Sequence, residues 1–157
     1  MNPVRTTEPA APVPFVTPAA AGDRAAVLGM DYRYVARSAA TGGLSVIEIA
    51  VPPGAAAPMH VHAHEDEILY VLKGEIVVDG VGIAGSAVAA GAGALCFAPR
   101  GRRHAFRNDG DAPARVLVVA SPGGGLERMF GALAALPPDG LAAAPAICAD
   151  AGVTLIG

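Results

Sequence analysis

The sequence predicts an all-β fold, an antiparallel sandwich or barrel, followed by a short C-terminal helix. Short apolar runs recur at regular intervals through the middle of the chain, and Gly, Pro or Asp residues separate them. The dipeptide Asp79-Gly80 is typical of a two-residue hairpin turn. Beyond the last run the apolar spacing changes to a helical period. With 157 residues, the chain is long enough to bury a core as one domain.

Each predicted strand is an apolar run that ends at a turn-forming residue. In chain order the strands cover 31–37, 44–51, 58–62, 67–72, 75–79, 82–84, 87–89, 94–98, 104–108 and 114–120.

Helical spacing begins after the last predicted strand. Leu126, Met129 and Leu133 lie on one face of a predicted amphipathic helix over 125–136, which two prolines end. We expect this face to pack on the barrel.

We therefore divide the chain into three parts. They are a Pro/Ala-rich N-terminal arm (1–28), a β-barrel (29–122), and a C-terminal helix with its tail (123–157). The arm is rich in residues that favour an extended or disordered chain.

The composition argues against several classes of partner. A formal net charge of −3 and an aromatic content of 4% give no case for a nucleic-acid partner. No apolar stretch is long enough to span a bilayer, and prolines interrupt the N-terminal region, so we predict neither a membrane partner nor a secretory leader. Two cysteines are too few for a disulfide framework. We expect a soluble, cytoplasmic protein.

Four side chains have the types and spacing of a metal site. Alternate residues of a strand point to one face, so His60 and His62 present two imidazoles together. Glu67 follows after a short polar turn, and His104 lies further along the chain. These donors suit one divalent ion such as Fe, Ni, Mn, Cu or Zn, and three imidazoles with one carboxylate leave coordination positions open for chemistry. We predict no binding residues for any other cofactor.

Neighbouring polar residues are predicted to have less specific roles. His64, Glu65 and Asp66 lie in the turn before Glu67, and we interpret them as solvated turn residues rather than ligands. An arginine cluster has two interpretations, a solvated loop beside a strand or a clamp for a substrate anion. It consists of Arg100, Arg102, Arg103 and Arg107.

Two motifs, in order, resemble those of the cupin superfamily. The first, G-x5-H-x-H-x4-E-x6-G, spans 54–74, and the second, G-x5-P-x-G-x2-H-x3-N, spans 93–108. Matching residues are Gly54, His60, His62, Glu67, Gly74, Gly93, Pro99, Gly101, His104 and Asn108. The resemblance covers roughly 30–120 and implies a cupin jelly-roll β-barrel, an antiparallel double-stranded β-helix. The resemblance also implies that the mouth of this barrel holds a metal ion on three His and one Glu.

More locally, the sequence is similar to bacterial quercetin 2,3-dioxygenase-like cupins. That similarity implies a metal-dependent dioxygenase for a flavonol-like or other enolic or phenolic small molecule, with Glu67 as the catalytic base. Strand parity and apolar character then suggest a substrate pocket. Its predicted lining residues are Ile47, Ile49, Met59, Leu69, Phe97 and Phe106.

Two other functions fit the same residues. One is a non-oxidative, metal-dependent cyclase or isomerase that acts on a polyketide-like substrate, and zinc would favour it because zinc has no redox chemistry. The other is a cupin that binds a small ligand without catalysis. Cupins often pair, so a homodimer is expected. The N-terminal arm is expected either to add to the partner's sheet or to stay extended in solvent.

Overall fold

The computed structural model describes residues 11–157, and two antiparallel sheets dominate them. The strands are β1 (Arg24–Val27), β2 (Met30–Ala36), β3 (Ser45–Val51), β4 (Ala56–His62), β5 (Asp66–Lys73), β6 (Glu75–Asp79), β7 (Val88–Gly91), β8 (Leu95–Ala98), β9 (His104–Arg107), β10 (Ala114–Ser121) and β11 (Val153–Leu155). The helices are α1 (Ser38–Thr41), α2 (Gly124–Ala134) and α3 (Ala144–Asp150), with single 3-10 turns at Ile83–Gly85 and Gly140–Ala143.

The strand order is that of a jelly roll. One sheet runs β1-β2-β3-β10-β5-β8 and the other β11-β4-β9-β6-β7, with every pairing antiparallel. Burial alternates along β3 and β10, so each strand turns one face toward the interior. The predicted all-β jelly-roll barrel is confirmed.

The main core lies between the inner faces of the two sheets. Ile47, Leu69 and Val116 come from one sheet and Ile76 and Phe106 from the other, and all five are buried. Removing these apolar side chains from water is the main driving force that holds the sheets face to face. Buried polar residues, among them His62, Glu67 and His104, replace apolar ones at the end of the barrel that carries the histidines.

Several residues shared with the cupin motifs shape turns rather than the site. Gly54, Gly74, Gly93 and Gly101 all have φ between +73° and +90°, a region that glycine enters without a Cβ penalty. The buried Asn108 side chain donates hydrogen bonds to the carbonyls of Val51 and Ala112, each at 2.9 Å. These residues fix the loops between strands.

The C-terminal helices lie over one end of the barrel. The predicted helix over 125–136 is confirmed as α2, and α3 packs beside it. Leu126, Met129 and Cys148 from these helices join Val153 of β11 in a second, smaller core. Within residues 11–157 no helix combines the length and the apolar character that crossing a bilayer requires.

Three local features differ from the sequence predictions. The strand predicted over 82–84 is wrong, because Ala84 has φ of 56° and the chain forms a 3-10 turn there. Residues 24–27, at the end of the predicted arm, form β1 and pair with β2. Residues 153–155, in the predicted tail, form β11, which completes the second sheet beside β4. Residues 1–10 of the arm lie outside the described residues.

Candidate metal centre

Three strands bring the four predicted ligands to one end of the barrel. His60 and His62 lie on β4, and His104 lies directly opposite His60 on the neighbouring β9. Glu67 lies on β5 of the other sheet. His62, Glu67 and His104 are buried, and His60 is half-buried. The cluster therefore combines residues from both sheets.

The ligand atoms of the cluster lie close together. His60 Nε2 and His62 Nε2 are 2.9 Å apart, and His104 Nε2 is 2.8 Å from Glu67 Oε2. His62 Nε2 is 3.6 Å from the same carboxylate oxygen. One donor atom from each residue lies within 4.8 Å of all the others. This spacing is that of donors around a common point.

The imidazole hydrogen bonds decide which ring nitrogens face that point. His60 Nδ1 lies 2.7 Å from the Pro58 carbonyl, and His104 Nδ1 lies 3.3 Å from the Arg102 carbonyl. A carbonyl only accepts, so in the neutral rings the proton lies on Nδ1 and the Nε2 lone pair faces the cluster. Lone pairs and a carboxylate that converge repel one another unless a cation lies between them. The donor set therefore fits a divalent metal ion.

Burial and charge shift the pKa values of all four groups. Burial lowers the pKa of His60 and lowers that of His62 to about 4. Burial would raise the pKa of Glu67, but the hydrogen bond from His104 and the charges of the histidines outweigh it and lower the pKa. Burial would lower the pKa of His104, and its interactions with Glu67 instead raise it. At neutral pH the cluster holds an ionised carboxylate and neutral His60 and His62 side chains, and protonated His104 would lose its extra proton when a metal binds.

Glu65 lies behind the cluster, and the interpretation of it as a solvated turn residue is wrong. Only 2% of its surface is exposed, and its Oε2 lies 3.6 Å from His62 Nδ1. Among residues 11–157 neither atom has a hydrogen-bond partner. A carboxylate behind a ligand imidazole is a common way to orient that ring. Sequence reasoning missed this role because the turn's burial depends on the distant helix α2, whose Gly125 lies against Glu65.

The other turn residues stay away from the cluster. His64 is exposed, and Asp66 accepts hydrogen bonds from the backbone and side chain of Arg100. Arg107 pairs with Asp79 and Asp109 at the surface. Two of the four clustered arginines thus form surface ion pairs, as the solvated-loop interpretation predicts.

An apolar pocket of about 120 Å³ opens beside His60, His62 and Glu67. Of the six predicted lining residues, Ile49 and Phe106 line it. Ile47 and Leu69 face inward but lie deeper in the main core, so they do not line the pocket.

Two predicted pocket residues face away from it. Met59 is out of phase with His60 and His62 on β4, and alternation turns it to the other face. Phe97 pairs with Ile68, which is out of phase with Glu67, and Phe97 is 55% exposed on the outer face. Neither residue lines this pocket, although Phe97 lines a second, more open pocket beside His104.

Much of the pocket wall comes from segments that the strand pattern did not assign to it. Tyr32 of β2 lines it, as do Met129, Phe130 and Leu133 of α2 and Val153 of β11. The helical period of α2 predicted an inward face, but not that the face would lie over the cluster.

Comparison with known proteins agrees with this geometry. Residues 47–120 match the cupin domain family model. The tetracenomycin polyketide synthase protein TcmJ of Streptomyces glaucescens is 37% identical over 84 residues, which is 54% of this chain and 53% of that protein. The chain spans about half, or less, of the length of the curated relatives it matches.

Solved structures share the fold. The TT1209 protein of Thermus thermophilus is 34% identical with a TM-score of 0.53, over 59% of this chain and 83% of that one. A predicted oxalate decarboxylase of Thermotoga maritima is 26% identical with a TM-score of 0.56, over 64% of this chain and 90% of that one. Together with the jelly-roll topology and the matched domain, these likenesses identify the chain as a member of the cupin superfamily.

Proposed function

We propose that this cupin is a metal-dependent enzyme that acts on an enolic or phenolic small molecule by non-oxidative cyclisation or isomerisation. One observation carries the proposal: three imidazoles and a carboxylate converge, and His60, His62 and Glu67 of this cluster line a pocket whose other walls are mostly apolar. An apolar pocket with a few convergent polar groups is the usual form of a small-molecule site.

The chemistry divides between the ion and the chain. When bound, a divalent ion would supply Lewis acidity for an enol or phenol oxygen. Glu67 would accept the proton that the substrate loses and return it at another position, which needs no external oxidant. His60, His62 and His104 would hold the ion beside the Glu67 carboxylate. The apolar wall from α2 and β11 would exclude water from the exchange.

The choice of a non-oxidative reaction is supported by the similarity to TcmJ, whose name places it with a polyketide synthase.

A second candidate, a dioxygenase for a flavonol-like or similar enol, is favoured by the donor set itself. Three imidazoles and a carboxylate also suit Fe, Ni, Mn and Cu, which support oxygen chemistry. The requirement for O2 separates the two candidates.

The test uses metal-loaded protein and a simple enol. Acetylacetone in D2O reports proton removal as deuterium exchange at carbon by NMR, and an oxygen electrode reports oxygenation. We expect protein-dependent exchange without O2 consumption. Substituting Glu67→Gln should abolish exchange while metal stays bound, and Glu75→Gln, which changes an exposed carboxylate of β6, should leave exchange unchanged.

Other results would change the assignment. Substrate-dependent O2 consumption across a panel of enols and flavonols would support the dioxygenase instead. Tight binding of these compounds with neither exchange nor O2 consumption would support a cupin that binds a ligand without catalysis.

A further inference from the structure

Tyr32 is the aromatic residue of β2 that reaches the pocket beside the metal cluster. It is 3% exposed and lines the same pocket as His60, His62 and Glu67. Its ring packs against Phe130 of α2, with centroids 4.7 Å apart and planes tilted by 48°. Tyr32 therefore lies between the barrel and the helix that covers it.

The Tyr32 hydroxyl is not one of the fully buried polar atoms that lack a hydrogen-bond partner within residues 11–157, which are Ser45 Oγ, His62 Nδ1 and Glu65 Oε2. The residue is nevertheless almost fully buried, and it lines the pocket. Buried tyrosine hydroxyls usually bind a polar group, and a phenylalanine would supply the same packing without that capacity. A ligand in the pocket would offer such a group.

The pocket gives this hydroxyl a distinct role. Among the pocket-lining side chains, the polar groups besides the three cluster residues are the Tyr32 hydroxyl and the Cys148 thiol. Tyr32 is the only one of them with an O–H group, and a thiol is a weak hydrogen-bond donor. The remaining wall offers apolar contacts.

We propose that Tyr32 binds the substrate by donating a hydrogen bond to a second oxygen atom of an enolic or phenolic ring, whose reacting oxygen faces Glu67 and the histidines. This inference rests on the proposed function, and it narrows the substrate class. The ligand is a compact, largely apolar ring that carries two oxygen atoms, because the pocket is small, about 120 Å³, and its walls are mostly apolar.

The hydroxyl is suited to donate. Burial and the charge of Glu67 both raise the pKa of Tyr32, so the phenol keeps its proton across the physiological range. The contact with Phe130 restrains the ring, which lowers the entropy lost when a ligand binds.

The test compares two single-ring probes on metal-loaded protein. 2-Hydroxyacetophenone carries a phenol and a carbonyl oxygen, and phenol lacks the second oxygen. By calorimetric titration, Tyr32→Phe should weaken binding of 2-hydroxyacetophenone about tenfold and leave phenol binding unchanged. Tyr34→Phe is the matched control, since Tyr34 is a buried tyrosine of the same strand that does not line the pocket. Both probes should bind this variant with the same affinity as the wild type.

A second measurement does not depend on the variant folding. The chain has three tyrosines, so a wild-type sample labelled at the tyrosine ring carbons gives few signals. 2-Hydroxyacetophenone should shift the Tyr32 signal and leave those of Tyr34 and Tyr70 in place.

The outcomes separate this inference from the proposed function. If Tyr32→Phe weakened the binding of both probes equally, or of neither, the proposed hydrogen bond would be overturned. The proposed function would still stand in that case if deuterium exchange depended on Glu67. Failure of both probes to bind the wild type would also overturn the hydrogen bond. A selective loss for 2-hydroxyacetophenone without any exchange would support Tyr32 as a binding residue and reject the proposed reaction.

Discussion

Glu65 and Glu67 are two buried carboxylates, two residues apart, with different partners. Glu67 faces the three imidazole Nε2 atoms of the cluster, whereas Glu65 lies behind His62 at 3.6 Å from its Nδ1. Burial raises the pKa of Glu65, and the histidines hold that of Glu67 down. Glu67 is thus suited to bind a metal and Glu65 to position a ligand.

Substituting Glu65→Gln should weaken metal binding by about tenfold to a hundredfold, because ligand-orienting groups typically contribute that much. Asp66→Asn is the matched control, as it changes the adjacent carboxylate, which points to Arg100 at the surface. Competition with a chelator of known affinity gives the metal dissociation constant of each variant. Equal metal affinity in the Glu65 variant and the wild type would show that Glu65 does not position His62.

The ligand types could be predicted from the sequence because strand alternation and the two motifs are local properties. The two-residue period of a strand was enough to predict that His60 and His62 point to one face, and the motifs implied Glu67 and His104. The role of Glu65 could not be predicted, since a turn residue three positions after a ligand is usually solvated. Its burial depends on contact with α2, far along the chain.

At the scale of elements, the junction between β10 and α2 decides where the helix lies. Gly123 precedes α2, and its amide donates a hydrogen bond to the Gly43 carbonyl at 2.7 Å. A Cβ placed on Gly123 would lie 2.2 Å from Ser45 Cβ and 2.5 Å from the Ser45 backbone nitrogen. The backbone of β3 leaves no room for a side chain there.

Substituting Gly123→Ala should therefore lower the free energy of unfolding by about 1–3 kcal/mol, as overpacking usually does. Gly131→Ala tests the opposite case in the same helix, where a Cβ meets nothing within 4 Å. It should raise the free energy of unfolding by about 0.5–1 kcal/mol through its effect on helix propensity. Urea denaturation measures both, and a Gly123 variant as stable as the wild type would contradict the packing argument.

The C-terminal tail shows why some elements escape sequence reasoning. Residues 139–157 are rich in Ala and Gly and have no clear period. In the structure, Val153 pairs with His62 and Leu155 with His60, so β11 supports the strand that carries two ligands. This pairing joins segments about ninety residues apart, which no local pattern reports.

At the scale of the molecule, an ion-pair network crosses three strands of the larger sheet. Glu48 of β3 accepts hydrogen bonds from Arg33 of β2 at 2.5 Å and from Arg115 of β10 at 2.9 Å. Burial would raise the pKa of Glu48, but these two hydrogen bonds and the guanidinium charges outweigh it and lower the pKa. The folded protein therefore prefers the ionised form.

A carboxyl whose pKa is lower in the folded than in the unfolded chain stabilises the fold above the unfolded pKa. That stability is lost as the pH falls through the folded pKa. Between about pH 6 and about pH 3 the wild type should lose about 1 kcal/mol more stability than Glu48→Gln, which cannot titrate there. Denaturation at the two pH values measures this difference. If the wild type and the variant lost equal stability, Glu48 would have the same pKa in the folded and the unfolded chain.

The expected homodimer remains a prediction, and we propose that it uses the outer face of the larger sheet. Exposed apolar side chains lie together there on β5 and on β8, the strand at the edge of that sheet: Tyr70, Leu72, Leu95 and Phe97. Substituting Phe97→Glu should shift the sedimentation mass from dimer to monomer, and Val81→Glu, which changes an exposed apolar loop residue, should not. A monomeric wild type would contradict the proposal.

The barrel as a whole follows from the sequence because runs of period two with turn residues between them specify antiparallel strands. The position of α2 and α3 does not, because their apolar faces could pack on several parts of the barrel. The pocket forms where barrel and helices meet, which explains why Ile49 and Phe106 of the barrel were predicted and Phe130 of α2 was not.

The central claim is that His60, His62, Glu67 and His104 form a metal site, and elemental analysis of the purified protein tests it most directly. We expect about one Fe, Ni, Mn, Cu or Zn ion per chain. The ion should be lost in His62→Ala and in His104→Ala and retained in His64→Ala, which removes an imidazole outside the cluster. Full metal content in the His62 or His104 variant, or no binding after wild-type protein is incubated with each metal, would contradict the claim.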